Sequence, residues 1–259
     1  MTTTTTTKRL LFITALFYYS FIFSQEIVTD RPDQTESSVT VGKNNFQIES
    51  GVLFEKSNDN SVNRFFGPST LLRYGISKGI ELRFVSQYES TKIEFEGGEI
   101  DYLGFNDLEI GVKFQVFKKE KVNTEIAFLS HVIIPTANKN LTNEKIGVIN
   151  KLAISHTISK KIGLGYNLGY DYISKQSSLT YSLALGISLS DKLSFYAEPY
   201  GAWGESNTFE SNFDTGLTFL VNSNFQLDAS FGTGLNNDMQ YVSTGFSWRI
   251  ANIFNINKS

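Results

Sequence analysis

An alternation with a period of two residues begins near Asn45 and persists to Ile250, and it constrains this chain more than any other feature. In "FQLDASFGTGL", Phe225, Leu227, Ala229, Phe231, Thr233 and Leu235 alternate with Gln226, Asp228, Ser230, Gly232 and Gly234. Successive side chains of a strand point to opposite faces, so the pattern predicts strands with one apolar and one polar face. Turn signals divide the stretch into twelve segments: 45–56, 64–76, 79–91, 104–118, 121–134, 146–159, 161–174, 178–190, 192–204, 208–221, 224–235 and 239–250. Most have eleven to fifteen residues, about twice the usual strand of a soluble protein. A tilted strand needs about 9–11 residues to cross a bilayer, so these lengths suit transmembrane strands that extend beyond the lipid.

Charge is excluded from the middle of the apolar face. That face carries Phe46, Ile48 and Phe54 in the first segment, Leu82 and Phe84 in the third, Ile110, Val112 and Phe114 in the fourth, and Phe246, Trp248 and Ile250 in the last. An Arg or Lys at the lipid midplane costs about 2–4 kcal/mol, which gives the exclusion a physical cause. The charges occupy the opposite face: Glu49, Arg73, Glu81, Arg83, Glu109, Lys113, Glu125, Lys151, Asp171, Glu198, Asp214, Asp228 and Arg249. A soluble sandwich would also have a polar face on each strand, but it rarely repeats strands this long. The fold class expected is therefore all-β, a transmembrane up-and-down antiparallel barrel of about twelve strands, with these thirteen residues lining its pore. Short turns such as "SKG" (77–79), "SDK" (190–192) and "NSN" (222–224) alternate with longer loops such as "KIEFEGGEIDYL" (92–103) and "PTANKNLTNEK" (135–145). Short turns at one end and long loops at the other describe insertion from the short-turn side, with both termini periplasmic.

The N-terminus is set apart. Lys8 and Arg9 precede "LLFITALFYYSFIF" and then Ser24, the layout of a secretory signal peptide. Fourteen apolar residues fall short of a bilayer core of about 30 Å. The expected organisation is 1–24 signal peptide, 25–44 periplasmic segment and candidate lumen plug, 45–250 barrel, and 251–259 C-terminal tail. The chain has no cysteine, so disulfides do not hold it together, and its net charge of -3 offers no basic stripe for nucleic acid.

"TDRPDQTESSVTVGKNNFQIESG", Thr29 to Gly51, resembles the N-terminal signature of a family of outer-membrane barrel transporters named for a "MetA-pathway of phenol degradation". Members from Bacteroidetes-like bacteria begin with a similar "DRPDxTES" stretch and a first strand matched here by Gln47, Glu49 and Gly51. "STGFSWRI" is similar to the aromatic last strand that barrel-assembly machinery reads. The resemblance implies a porin-like protein of a Gram-negative outer membrane. Its expected partners are outer-membrane lipid, the assembly machinery and an unidentified small solute.

Enzyme chemistry has little to stand on in these residues. His131 and His156 are the only histidines, and there is no Gly-x-Ser-x-Gly elbow and no His-x-x-x-His pair. Glu96, Glu99 and Asp101 match no calcium-loop spacing. The expectation is a channel without catalytic residues, metal or cofactor. A plugged, non-conducting barrel is the alternative and an outer-membrane hydrolase the third. Eight acids against five bases among the thirteen predict mild cation preference. In "VTDRPDQTESS", Asp30, Arg31, Asp33 and Glu36 are the candidate plug: Arg31 is expected to meet lumen carboxylates, and Asp30 and Asp33 to meet Arg73, Arg83 or Arg249.

Overall fold

A computed structural model describes residues 26–57, 61–119, 121–205 and 208–253. The signal-peptide reading, on 1–24, lies outside the described residues. Thirteen strands form one antiparallel sheet: β1 (Phe46–Ser57), β2 (Val62–Ser77), β3 (Ile80–Phe95), β4 (Gly98–Phe105), β5 (Leu108–Lys118), β6 (Thr124–Ile134), β7 (Gly147–Thr157), β8 (Ile162–Ile173), β9 (Gln176–Ser188), β10 (Leu193–Gly204), β11 (Phe209–Asn222), β12 (Phe225–Gly234) and β13 (Met239–Ile250). Apart from β4 and β5, neighbours in sequence pair with each other, β1 pairs with β13, and the sheet closes on itself through β2 and β3.

The barrel wall nevertheless has twelve staves. β3 pairs with β5 over its first half, from Ile80↔Phe114 to Val85↔Glu109, and with β4 over its second half, from Tyr88↔Phe105 to Phe95↔Gly98. β4 and β5 thus share one stave, broken at Asn106 and Asp107. The stretch 92–103, expected as a loop, is instead a hairpin that carries the wall beyond the barrel. Its glutamates hide a strand alternation of Ile93 with Phe95 and Ile100 with Tyr102, turned at Gly97 with φ of +99°. At the break, Asp107 accepts hydrogen bonds from the N–H groups of Ala137 (2.9 Å) and Asn143 (2.7 Å), so it holds the neighbouring long loop. Burial alone would raise the Asp107 carboxyl, but these N–H groups hold it below its ordinary value.

Burial is inverted relative to a soluble protein. Leu82, Ile110, Phe128, Leu183, Phe231 and Trp248 point outward and are exposed, whereas Glu49, Arg73, Glu81, Lys113, Glu198 and Asp214 have no solvent contact at all. A continuous exposed apolar belt of this extent has lipid as its natural solvent. The barrel is transmembrane and its charges are inside.

Candidate functional site: the lumen and its N-terminal segment

All thirteen charged positions singled out from the sequence lie on the inward register. Glu49, Arg73, Glu81, Arg83, Lys113, Glu198, Asp214 and Asp228 are buried, while Glu109, Glu125, Lys151, Asp171 and Arg249 are half-buried. What buries them is the chain itself: residues 26–45 run inside the barrel. The segment enters at the short turn after β11, where Ile27 N–H donates to the Ser223 carbonyl (2.9 Å). It then climbs along β1, where Asp30 N–H donates to Glu49 Oε2 (2.8 Å), and Arg31 reaches Asp228 (2.9 Å) and Ser243 (3.2 Å). Glycines make this approach possible, because a Cβ on Gly51 or on its cross-strand partner Gly245 would overlap the Arg31 guanidinium.

The chain next crosses the lumen. Gln34 N–H and the Thr35 hydroxyl donate to the two oxygens of Glu198 (2.7 and 2.5 Å), and Thr35 also meets the Ser182 hydroxyl (2.6 Å). Asn167 accepts from Glu36 N–H (2.7 Å) and donates to the Glu36 carbonyl (3.1 Å). On the way back, Lys113 and Arg73 donate to the carbonyls of Ser37 (3.0 Å) and Val39 (2.9 Å), and Val41 N–H donates to Glu81 (2.9 Å). A Cβ on Gly75 would collide with the Gly42 carbonyl, so this exit also depends on a missing side chain.

One wall carries a lattice of buried charge. Arg73 bridges Glu49 (2.7 Å), Glu81 (2.8 Å) and Asp30 (3.3 Å); Arg83 bridges Asp30 (2.7 Å), Glu36 (2.7 Å) and Glu81 (2.9 Å); Lys113 bridges Asp30 (2.8 Å) and Glu36 (3.3 Å). Three cations thus face four carboxylates, two of which the segment supplies. Buried ions are tolerable only when so compensated.

The candidate plug residues do not all meet the partners expected of them. Asp30 reaches Arg73 and Arg83, and Arg31 reaches a lumen carboxylate, but Asp33 meets none of the expected arginines. It lies on the other side of the lumen near Glu198 and Asp214, and no ion pair joins it to a described cation. Arg249 sits near the short-turn end, donating to Asn224 Oδ1 (2.7 Å), and Glu125 pairs with Lys118 (2.8 Å). The remaining half-buried acids lie apart from that lattice: Glu109 contacts His131, and Asp171 lies on β8.

The histidines have structural surroundings. His131 Nε2 accepts from Arg83 Nε (2.9 Å), which leaves Nδ1 to donate to Glu109 (3.1 Å); the lone pair a general base needs is occupied. His156 contacts the Thr124 hydroxyl (2.8 Å) and stacks on Tyr166.

The segment separates three spaces. At the long-loop end lies a cavity of about 390 Å³ floored by Asp30 to Gln34, with a recess of about 220 Å³ beside it. At the short-turn end a cavity of about 280 Å³ is lined by Val39 to Gly42, Gln47 and Arg249.

Sequence reasoning missed the apolar part of this interior. Leu71, Val85, Leu129 and Ile149 all face inward around the larger cavity. The available signal was the doublets Leu71–Leu72, Phe84–Val85, Phe128–Leu129 and Val148–Ile149, each of which breaks strict alternation.

Among solved structures, the chain is similar to the KdgM porin in complex with disordered oligogalacturonate (TM-score 0.55, 10% identity, covering 78% of this chain and 98% of that one). It is similar to the NanC porin (TM-score 0.52, 8% identity, 78% and 100%) and to the β domain of the Bordetella autotransporter BrkA (TM-score 0.51, 10% identity, 80% and 99%). These likenesses show the outer-membrane barrel fold. None of the curated proteins matches the sequence. The family described as "Putative MetA-pathway of phenol degradation" matches residues 29–250, the inner segment and the whole barrel, and the chain belongs to that family.

Proposed function

We propose that the protein is an outer-membrane channel for small solutes that its own N-terminal segment holds closed, and that solutes pass when residues 28–41 leave their seat. The observation that carries this reading is the course of the segment: it bonds to both walls and divides the long-loop cavities from the short-turn one. An exported chain embedded in outer-membrane lipid by the assembly machinery fits the apolar belt. Non-catalytic passage fits an interior whose polar groups replace part of a solute's hydration shell. With the segment displaced, eight acids against five bases favour cations. A second reading, a permanently filled barrel, draws support from the density of the buried ion pairs.

The chain has no cysteine, so a T35C/S182C pair can lock the segment, the parent hydroxyls being 2.6 Å apart. In a liposome-swelling assay with sugars and amino acids of graded size, the oxidised pair should block swelling and reductant should restore it. Equal swelling in both forms would overturn the requirement for displacement. No swelling in either form would favour the filled barrel.

A further inference from the structure

At the long-loop end the lumen wall changes from charged to apolar. Leu53 and Phe66 are cross-strand partners on β1 and β2, and Leu71 and Val85 on β2 and β3. Leu129 on β6 and Ile149 on β7 extend the same inward patch, and all six line the cavity of about 390 Å³. Their neighbours lower in the barrel, Glu49, Arg73 and Arg83, are charged, so the patch is local. Apolar side chains facing a water-filled cavity gain about 25 cal/mol for each Å² that a ligand covers. The volume lies within the roughly 300–1,000 Å³ range of small-molecule sites.

Lys151 supplies the polar end. It is the cross-strand partner of Leu129, borders both the cavity and the adjoining recess, and forms no hydrogen bond or ion pair with another described residue. Most charges around the cavity are already paired: Glu36 with Arg83 and Lys113, Asp30 with three cations, and Arg31 with Asp228, while Glu109 takes a hydrogen bond from neutral His131. Asp33 lies near Glu198 and Asp214, and Asp171 on β8 shares the field of Lys151.

We propose that this vestibule binds an amphipathic organic monoanion, its carboxylate on Lys151 and its aliphatic or aromatic body against the Leu53, Phe66, Leu71 and Val85 wall. The site is complete with the segment seated, so binding there does not depend on the channel reading.

The test uses the full chain in nanodiscs, with empty nanodiscs as the blank, and measures binding of phenylbutyrate, phenylbutanol and phenylbutylamine by calorimetry. Phenylbutyrate should bind saturably and at least about tenfold more tightly than the amine. K151Q should erase its advantage over the alcohol while leaving the alcohol unchanged, and K151R should restore it. L71N should weaken acid and alcohol alike. Equal binding of acid and amine, or undiminished binding by a correctly folded K151Q barrel, would overturn the proposal. The oxidised T35C/S182C barrel should bind the acid as the parent does, so failure of the channel reading and failure of this site give different results.

Discussion

On the β2, β3 and β5 wall, Arg73, Arg83 and Lys113 grip the inner segment through the carboxylates of Asp30 and Glu36. On the β8, β9 and β10 wall, Asn167, Ser182 and Glu198 meet it through an amide, a hydroxyl and a carboxylate that takes a backbone N–H and the Thr35 hydroxyl. The first wall holds by compensation of buried charge, in which losing one partner strands the others. The second holds by individual hydrogen bonds, each worth roughly 0.5–1.5 kcal/mol net, more where an ion takes part. Under the proposed displacement of the segment, the asymmetry sets an order of release, with the acidic wall letting go first and the cationic wall acting as the anchor.

The anchor gives the largest expected effect. Asp30 is shared by three buried cations, and removing one partner from such a lattice costs about 3–5 kcal/mol. Ser38 is fully buried and its hydroxyl has no partner among the described residues, so S38C is a tolerant reporter of unseating in a chain without other cysteines. D30A should speed S38C labelling by a water-soluble maleimide by at least about 10²-fold. A rate within twofold of the parent would mean that the cationic wall is not the anchor.

T35V probes the other wall. It removes the donor to Glu198 and the acceptor for the Ser182 hydroxyl and should cost about 1–3 kcal/mol, raising the same labelling rate about 5- to 150-fold. An effect larger than that of D30A would reverse the proposed order of release.

A smaller effect is expected outside both walls. Asp107 has its pKa depressed in the folded loop, so its stabilisation is present above the ordinary carboxylate value and is lost as pH falls through the depressed one. D107N should raise trypsin cleavage at Lys139 about fivefold at neutral pH, equivalent to about 1 kcal/mol. The parent should lose the same loop protection, read with pepsin, as pH drops below about 4. S38C labelling should not respond to D107N; a response would couple the outer loop to the segment.

The barrel was legible because lipid imposes a strict rule: a charge outside is expensive, so the outward register of β1, β5, β12 and β13 is written in plain alternation. Inside, no such rule holds. Leu71 and Val85 could face the lumen without penalty, and their doublets read as noise. Asp33 carries the same charge as Asp30, but which wall it meets depends on how the segment turns between Arg31 and Gln34, which residue types alone do not encode. The β3–β4 hairpin escaped notice because its glutamates stand beyond the lipid, where polarity and strand structure are compatible.

In the proposed channel, residues inside the barrel, and not the barrel wall, set its permeability. The most direct test is the single-channel conductance in planar bilayers of a chain lacking residues 28–38 against the full chain. Conductance should rise clearly, with a reversal potential shifted toward cations. An unchanged conductance, in a deletion that still migrates as a folded barrel, would contradict control by the inner residues.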